Sequence, residues 1–491
     1  MSDEKKLDLV RGLGKWSSAA IVVGTMVGTG IFLKPAEMAA DAGSLSLVLA
    51  AWVAGGVLSL FGALAFAELG AALPEAGGEY AYLRRAFGPV WGFLFGWMHS
   101  IVGRPASSSS IAAGLLRFCA FLAPAMAAPI FTARISAPFS HAPYVFAFTW
   151  AQPWAVAALA VFAFINFLGV RAGGRVQVIL TAIKVSSVVL IIVAGFALAR
   201  PGGVGFHPFF PSGYSAITLT GFFGALSAAL WAYDGWEDLN LVGSEVENPQ
   251  RNIPRALILG VLFCMVLFTA FSLAAHWTLP FATVAQSPHV ASDLVAQISG
   301  RNAALWVTLA MAISALGTLN SSILSGARVP HAMARDGIFF CGTAEIQPRF
   351  RTPAGAILFE LAISSIFALT GTFEELTSLF LFATWIFYAL AVAAMIKMRR
   401  TEPGLVRPYR CWGYPWVPAA FLAGATALTV NSVAGASRSF VYRPRIDFFG
   451  IDFLSPLAAK ASRTYVICSN GPSGVRFSLR GLVLQEPKPA S

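Results

Sequence analysis

The sequence predicts an all-α polytopic membrane protein with a 5+5 inverted-repeat core, discontinuous helices 1 and 6, an eleventh helix, and an atypical tail lacking a clear twelfth span. Three observations lead there. The 491 residues are 57% hydrophobic and only 12% charged, with a mean hydropathy of +0.70, whereas soluble domains carry about 25% charged residues. The apolar residues fall into runs long enough to cross a bilayer, with the basic residues sorted between them. Two of those runs, the first and the sixth, carry a polar, glycine-containing interruption near the middle.

Taking the elements in order, residues 1–15 are polar and charged, with no short apolar stretch leading to a small-residue cleavage site. A cleaved signal peptide is not expected, and the first span itself would enter the membrane. A helix needs about 20 apolar residues to cross the hydrocarbon layer. Eleven segments qualify: 17–40, 46–72, 88–123, 153–169, 173–199, 215–241, 253–280, 303–327, 353–371, 376–397 and 413–434. The third is long enough to imply strong tilt. Connections are short except for 124–152, 281–302 and 328–352. The expected organisation is a cytoplasmic N-terminus (1–15), a ten-helix core (16–400), a cytoplasmic loop with the eleventh span (401–442), and a polar, non-membrane tail (443–491).

Orientation follows from lysine and arginine in the connections. With the N-terminus inside, the inner segments carry nineteen, from Lys5, Lys6, Arg11 and Lys15 through Arg328, Arg335, Arg349 and Arg351 to Arg407 and Arg410. The outer loops carry only Arg134, Arg200 and Arg301. The chain is therefore expected to sit in the plasma (inner) membrane with a cytoplasmic N-terminus.

The same sorting removes the nucleic-acid reading that a net charge of +11 invites. Five cysteines and six histidines are scattered without a paired spacing, so neither a disulfide framework nor a metal site is suggested. No Walker loop, HExxH or convergent nucleophile and base is present, which disfavours an enzyme or an ATP-driven pump and implies no cofactor.

The first interruption reads Gly24-Thr25-Met26-Val27-Gly28-Thr29-Gly30 and the sixth Trp231-Ala232-Tyr233-Asp234-Gly235-Trp236. Unwinding a helix in lipid strands backbone groups at several kcal/mol each, so it survives only where protein or ligand satisfies them. At Gly28-Thr29-Gly30 the following half-helix would offer its N-terminal amides, suited to an α-carboxylate. Free carbonyls at the end of the preceding half and in the sixth break would suit an α-ammonium. Matched interruptions in two halves point to a midplane substrate site in transporters built of inverted repeats. The plainer reading is close helix packing, since Gly24 and Gly28 also fit GxxxG.

Other polar residues lie inside the spans. Lys184 falls about 11 residues, or roughly 16 Å, into its helix. Such a lysine is either functional or the interfacial residue of a tilted helix. Asp234 lies within the sixth break, where it would attract a cationic substrate group, pair with Lys184, or meet vestibule water. Trp231 and Trp236 flank it, one as a substrate gate or both as packing. In Arg104-Pro105-Ala106-Ser107-Ser108-Ser109-Ser110 the serines either line a path or satisfy carbonyls freed by Pro105. Asn320-Ser321-Ser322 is formally a glycosylation sequon, but inside a span no glycan is expected. Glu68, Glu75, Glu79, Arg84 and Arg85, with Glu245, Glu247, Arg251 and Arg255, form either an inner gate or solvated loop charge.

These residues resemble the amino acid–polyamine–organocation superfamily, and more closely the L-type amino-acid transporters that serve as light chains of heteromeric transporters. The matching stretches are Val23 to Phe32, Ala67-Glu68-Leu69-Gly70 leading to Pro74 through Tyr80, and Tyr233-Asp234-Gly235-Trp236 leading to Glu245 through Pro254. The resemblance covers about residues 15–442. It implies the 5+5 core with two further helices, and sodium-independent amino-acid exchange. By matching position, Thr29 and Gly30 would bind the carboxylate, and the carbonyls of Met26, Leu230, Trp231 and Asp234 the amine. Trp231 would be an aromatic gate. Lys184 would stand where ion-coupled relatives hold sodium, bracing helices 1 and 8. An aspartate at position 234 occurs in relatives that accept cationic as well as neutral amino acids.

Two departures stand out. Animal light chains carry a cysteine between spans three and four, and 124–152 has none, so no disulfide-linked heavy chain is expected. After Tyr442 the family pattern would run into a twelfth span, but Arg443, Arg445, Asp447, Asp452, Lys460, Arg463, Arg476 and Arg480 interrupt every apolar run. Each central charge costs about 2.5–3.5 kcal/mol, and the abrupt stop suggests an altered reading frame. The expected function is amino-acid exchange, with proton-coupled symport as the main alternative and an amino-acid sensor as a minor one.

Overall fold

The computed structural model describes residues 8–135, 144–199, 204–211, 213, 215–370 and 373–439. The helices are α1 (Lys15–Met26), α2 (Gly30–Ala42), α3 (Leu45–Ala72), α4 (Glu79–Phe87), α5 (Pro89–Trp97) and α6 (Arg104–Leu122). A hairpin follows, β1 (Pro129–Ile135) and β2 (Tyr144–Thr149), paired antiparallel. Then come α7 (Ala151–Phe167), α8 (Val170–Leu198), α9 (Ala216–Tyr233), α10 (Asp238–Leu241) and α11 (Pro249–Thr278). The chain continues through α12 (Phe281–Gln286), α13 (Val290–Ser299), α14 (Arg301–Gly326) and α15 (Arg328–Arg335). It ends with α16 (Ala354–Thr370), α17 (Phe373–Thr401) and α18 (Trp416–Ser439).

Each of the eleven apolar segments lies on helix. By length and composition, Lys15–Ala42, Leu45–Ala72, Val170–Leu198, Pro249–Thr278 and Asn302–Arg335 can cross a membrane. Shorter apolar helices run over Ala151–Phe167, Ala354–Thr370 and Trp416–Val430. Large apolar side chains stand outward along α7, α8, α11 and α16, among them Phe164, Ile179, Leu190, Leu259, Val266 and Leu358. Water would not tolerate so wide an apolar surface. This is a multi-pass membrane protein.

Local chemistry sets several boundaries. Ser215 caps α9, its hydroxyl accepting from the Thr218 N–H at 3.3 Å. Gly43, at φ 66°, ends α2 in the left-handed conformation that a side chain disfavours. The long third segment is α5 joined to α6 through a π-helical turn, Met98–Gly103, which places Pro105 near the start of α6 where its missing N–H is harmless. The loops read as plain connections at 124–152, 281–302 and 328–352 hold the hairpin, α12, α13 and α15 instead. The proposed tail lies outside the described residues.

The charges beside the second and sixth segments divide. Glu75, Glu247, Arg251 and Arg255 are exposed, as solvated loop charge should be. Glu68, Glu79 and Glu245 are buried. Glu245 meets Arg328 of α15 at 2.7 Å, both side chains fully enclosed. Glu68 takes Arg399 Nε at 2.8 Å, Arg407 Nε at 3.3 Å and the Cys411 N–H at 2.6 Å. Burial, with the charge of Glu237 second, pushes the Glu79 carboxyl well above the usual carboxylate range.

Candidate functional site

Helix α1 stops at Met26 and α2 starts at Gly30. Between them the Val27 N–H still reaches the Val23 carbonyl (2.8 Å), while the Gly28 N–H turns back to Met26 (2.9 Å). The carbonyls that α1 leaves behind are taken by neighbours. Lys184, fully buried on α8, donates to the Gly24 carbonyl, to the Ser314 carbonyl (3.1 Å) and to Thr318 Oγ1 (3.1 Å). Thr318 also reaches the Gly24 carbonyl (3.2 Å), and the Ser314 hydroxyl donates to Val27 (3.1 Å). Lys184 thus joins α8 to α1 and α14. At the other side of the gap, a helix beginning at Gly30 leaves its first N–H groups without acceptors of its own.

The sixth segment is interrupted at a corresponding place. The Asp234 N–H bonds to Trp231 (3.3 Å) rather than to Leu230, diverting the donor that a continuous helix would give the Leu230 carbonyl. Gly235, at φ 98°, makes the turn before α10. The two gaps adjoin. A Cβ added at Gly30 would lie 2.7 Å from Ala232 Cα, and one at Gly28 2.6 Å from Thr318 Oγ1. Gly235 in turn packs on the Thr25 side chain. Close packing, the plainer reading of these glycines, is therefore real, and it is what brings the start of α2 against the end of α9.

The remaining sequence candidates lie around this junction. Asp234 is half-buried and accepts from the Tyr388 hydroxyl of α17 at 3.0 Å. The polar contacts of Lys184 go to α1 and α14 instead, so Tyr388 rather than Lys184 is the partner observed at Asp234. Trp231 is buried among Leu33, Ala106, Ala113 and Phe367. Trp236 sits in a separate aromatic nest, 4.9 Å from Phe66 and 5.6 Å from Tyr388 between ring centres. In α6, Ser108 meets Ser322 (2.8 Å) and Ser109 donates to the Ser364 carbonyl (2.7 Å), so these serines tie α6 to α14 and α16. Asn320 is enclosed, bonded to Gln177 (2.8 Å) and Asn166 (3.1 Å).

Several residues at the junction escaped sequence reasoning. Glu237 accepts from the Gly235 N–H at 3.2 Å, holding the turn. Asp238 is fully buried and ion-paired with Arg104, which also reaches Ser322 at 3.3 Å. The signal for Glu237 and Asp238 was present: two more acids directly after Asp234 in an apolar segment. Nothing local in the sequence marks Ser314, Thr318 or Tyr388.

Two adjoining helix gaps inside a polytopic bundle, with their carbonyls partly covered by a buried lysine, are the features that comparison with transport proteins has to account for. A family model described as amino acid permease matches residues 13–444. The chain is 32% identical over 416 residues to the b(0,+)-type amino acid transporter 1 of Homo sapiens, covering 83% of this chain and 80% of that protein. It is 30% identical over 442 residues to the serine/threonine exchanger SteT of Bacillus subtilis (strain 168), covering 87% and 94%. Against the cystine/glutamate transporter of Homo sapiens it is 29% identical over 408 residues, covering 83% and 76%. The chain belongs to the amino acid permease family.

Proposed function

We propose that this protein is a sodium-independent exchanger of neutral and cationic amino acids, working by alternating access across a plasma (inner) membrane. The observation that carries the reading is the junction of the two gaps, Gly30 on Ala232 and Gly235 on Thr25. There the amides of Thr29 and Gly30, with Gly28 keeping the approach open, take the substrate carboxylate. The carbonyls of Met26, Leu230, Trp231 and Asp234 take its amine. Trp231 gates the pocket, Trp236 backs the turn, and the Asp234 carboxylate favours a cationic side chain.

Lys184 supports sodium independence. Its ammonium already satisfies oxygens of Gly24, Ser314 and Thr318, a set of hard donors of the kind an alkali cation would need. In this reading residues 16–400 form the 5+5 core with discontinuous helices 1 and 6, and 401–442 add the eleventh span. Residues 1–15 lie in the cytoplasm and 443–491 outside the membrane. The relatives named above are called transporters and exchangers of amino acids, which fits. With no cysteine in 124–152, the protein works without a disulfide-linked heavy chain.

The test is reconstitution in liposomes loaded with unlabelled amino acid. Uptake of labelled neutral or basic amino acid is expected only when an internal amino acid is present, and unaltered when sodium is replaced by choline. Uptake that requires a sodium gradient, or none against any internal amino acid, overturns the reading.

A further inference from the structure

A second polar cluster lies beside the junction, where α6, α10, α15 and α16 meet. Its least provided member is Glu360 of α16. Both carboxyl oxygens are buried without a hydrogen-bonding partner of good geometry. The Ser108 hydroxyl neighbours it and also meets Ser322 Oγ at 2.8 Å, a contact in which either hydroxyl can donate. A Cβ added at Gly326 would lie 2.5 Å from Glu360 Oε1 and 2.5 Å from Arg104 Cγ, so the absent side chain lets the glutamate and the arginine lie together. Arg104 Nε is itself buried and unpartnered, the other two guanidinium nitrogens being turned to Asp238 and Ser322.

Charge balance decides what this arrangement can do. From α6 the group facing Glu360 is Arg104, from α10 Asp238, and from α15 Arg328. Arg328 gives Glu245 two hydrogen bonds of 2.7 and 3.1 Å, while its Nη1 is buried without a partner. Helix α7, also packed on α16, contains no titratable residue, and α14 contains only Arg301 at its far end. The short turn Cys341–Ala344 adds no titratable group. Two guanidinium groups, Arg104 and Arg328, therefore serve three carboxyl groups, Asp238, Glu245 and Glu360. A buried carboxylate without a donor or a counter-ion costs several kcal/mol, so an ionised Glu360 must draw on a guanidinium that already holds Asp238 or Glu245.

We propose that Glu360 is a proton-binding site that links amino-acid exchange to pH. As the acid, Glu360 is neutral and leaves Arg104 on Asp238, which fixes α10 and hence the sixth-segment turn against α6. On deprotonation the carboxyl O–H breaks, the proton passes to water, and no electron moves. The carboxylate then competes with Asp238 for Arg104, loosening α10 from α6. Proton occupancy at Glu360 thus biases whether the Asp234–Asp238 turn is held or released. The inference rests on the exchange reading above.

The test measures exchange in proteoliposomes across a series of pH values, for wild type, Glu360→Gln and Glu360→Asp. Wild-type rates should change about fivefold or more over three pH units, while Glu360→Gln stays within about twofold. Glu360→Asp should keep a pH dependence with a displaced midpoint. A Glu360→Gln profile that follows wild type, or a flat wild-type profile, overturns the proton site while leaving exchange intact. Absence of wild-type exchange at every pH strikes the transport reading instead. Should Glu360→Gln fail to fold, as judged by its elution in detergent, Glu360→Asp decides: an undisplaced midpoint overturns the proposal.

Discussion

At Gly30 a side chain has nowhere to go. Its Cβ would fall 2.7 Å from the Cα of Ala232, a backbone atom that cannot swing aside. Forcing a methyl into so tight a contact typically costs about 1–3 kcal/mol. At Gly342 nothing lies within 4 Å of the same position. Gly30→Ala is therefore expected to lower the thermal unfolding temperature in detergent and to abolish uptake, whereas Gly342→Ala changes neither. Gly30→Ala with wild-type melting and uptake would show that the two gaps need not touch. Asp234 offers a chemical test at the same scale. Its carboxylate has Tyr388 as partner and in the proposed site lies beside the carbonyls assigned to the amine, so Asp234→Asn should weaken uptake of basic amino acids about tenfold, or about 1.4 kcal/mol, and spare neutral ones. Equal loss for both classes would make Asp234 a structural residue.

Among elements, the brace between α8, α1 and α14 hangs on one ammonium. Lys184→Ala removes three hydrogen bonds and exposes the Gly24 carbonyl, which keeps only Thr318 as a side-chain donor. The expected outcome is loss of uptake beyond about tenfold with a lowered melting temperature, since a buried polar group left without its partner costs about 1–3 kcal/mol. Unchanged transport would remove the bracing role. How much of these elements the sequence revealed follows from the kind of signal each emits. A bilayer demands about 20 apolar residues, so the long apolar helices could be read directly, five of them among the described residues long and apolar enough to cross a membrane, and the gaps in the first and sixth segments showed as glycines and acids. The β1–β2 hairpin did not, although Pro129–Ile135 and Tyr144–Thr149 are rich in aromatic and β-branched residues, because two strands this short carry little periodic signal between long apolar spans. Glu245 and Arg328 were each visible as charges but their pairing was not, because 83 residues separate them and sequence spacing carries no record of tertiary pairing.

For the whole molecule, the sorting of basic residues and the placement of the buried ion pairs make a joint demand on topology. The Glu245–Arg328 pair lies in connections that the charge distribution assigns to the cytoplasm, Glu68 near the end of α3 pairs with Arg399 near the end of α17, and Asp8 of the N-terminal segment pairs with Arg335 at 2.7 Å. One face of the bundle thus gathers residues from the N-terminus, α15 and the end of α17, while the hairpin and the α12–α13 connection belong to the opposite face. We propose that this face is the cytoplasmic one, from nineteen lysines and arginines assigned to it against three on the other. Truncated chains fused to reporters test this. A fusion after Thr149 should give active periplasmic alkaline phosphatase and no fluorescent protein, and a fusion after Glu345 should give the reverse. The opposite pattern at both sites would invert the protein in the membrane, and would turn the Glu360 cluster toward the outside, where the pH that governs it would be that of the medium rather than the cell.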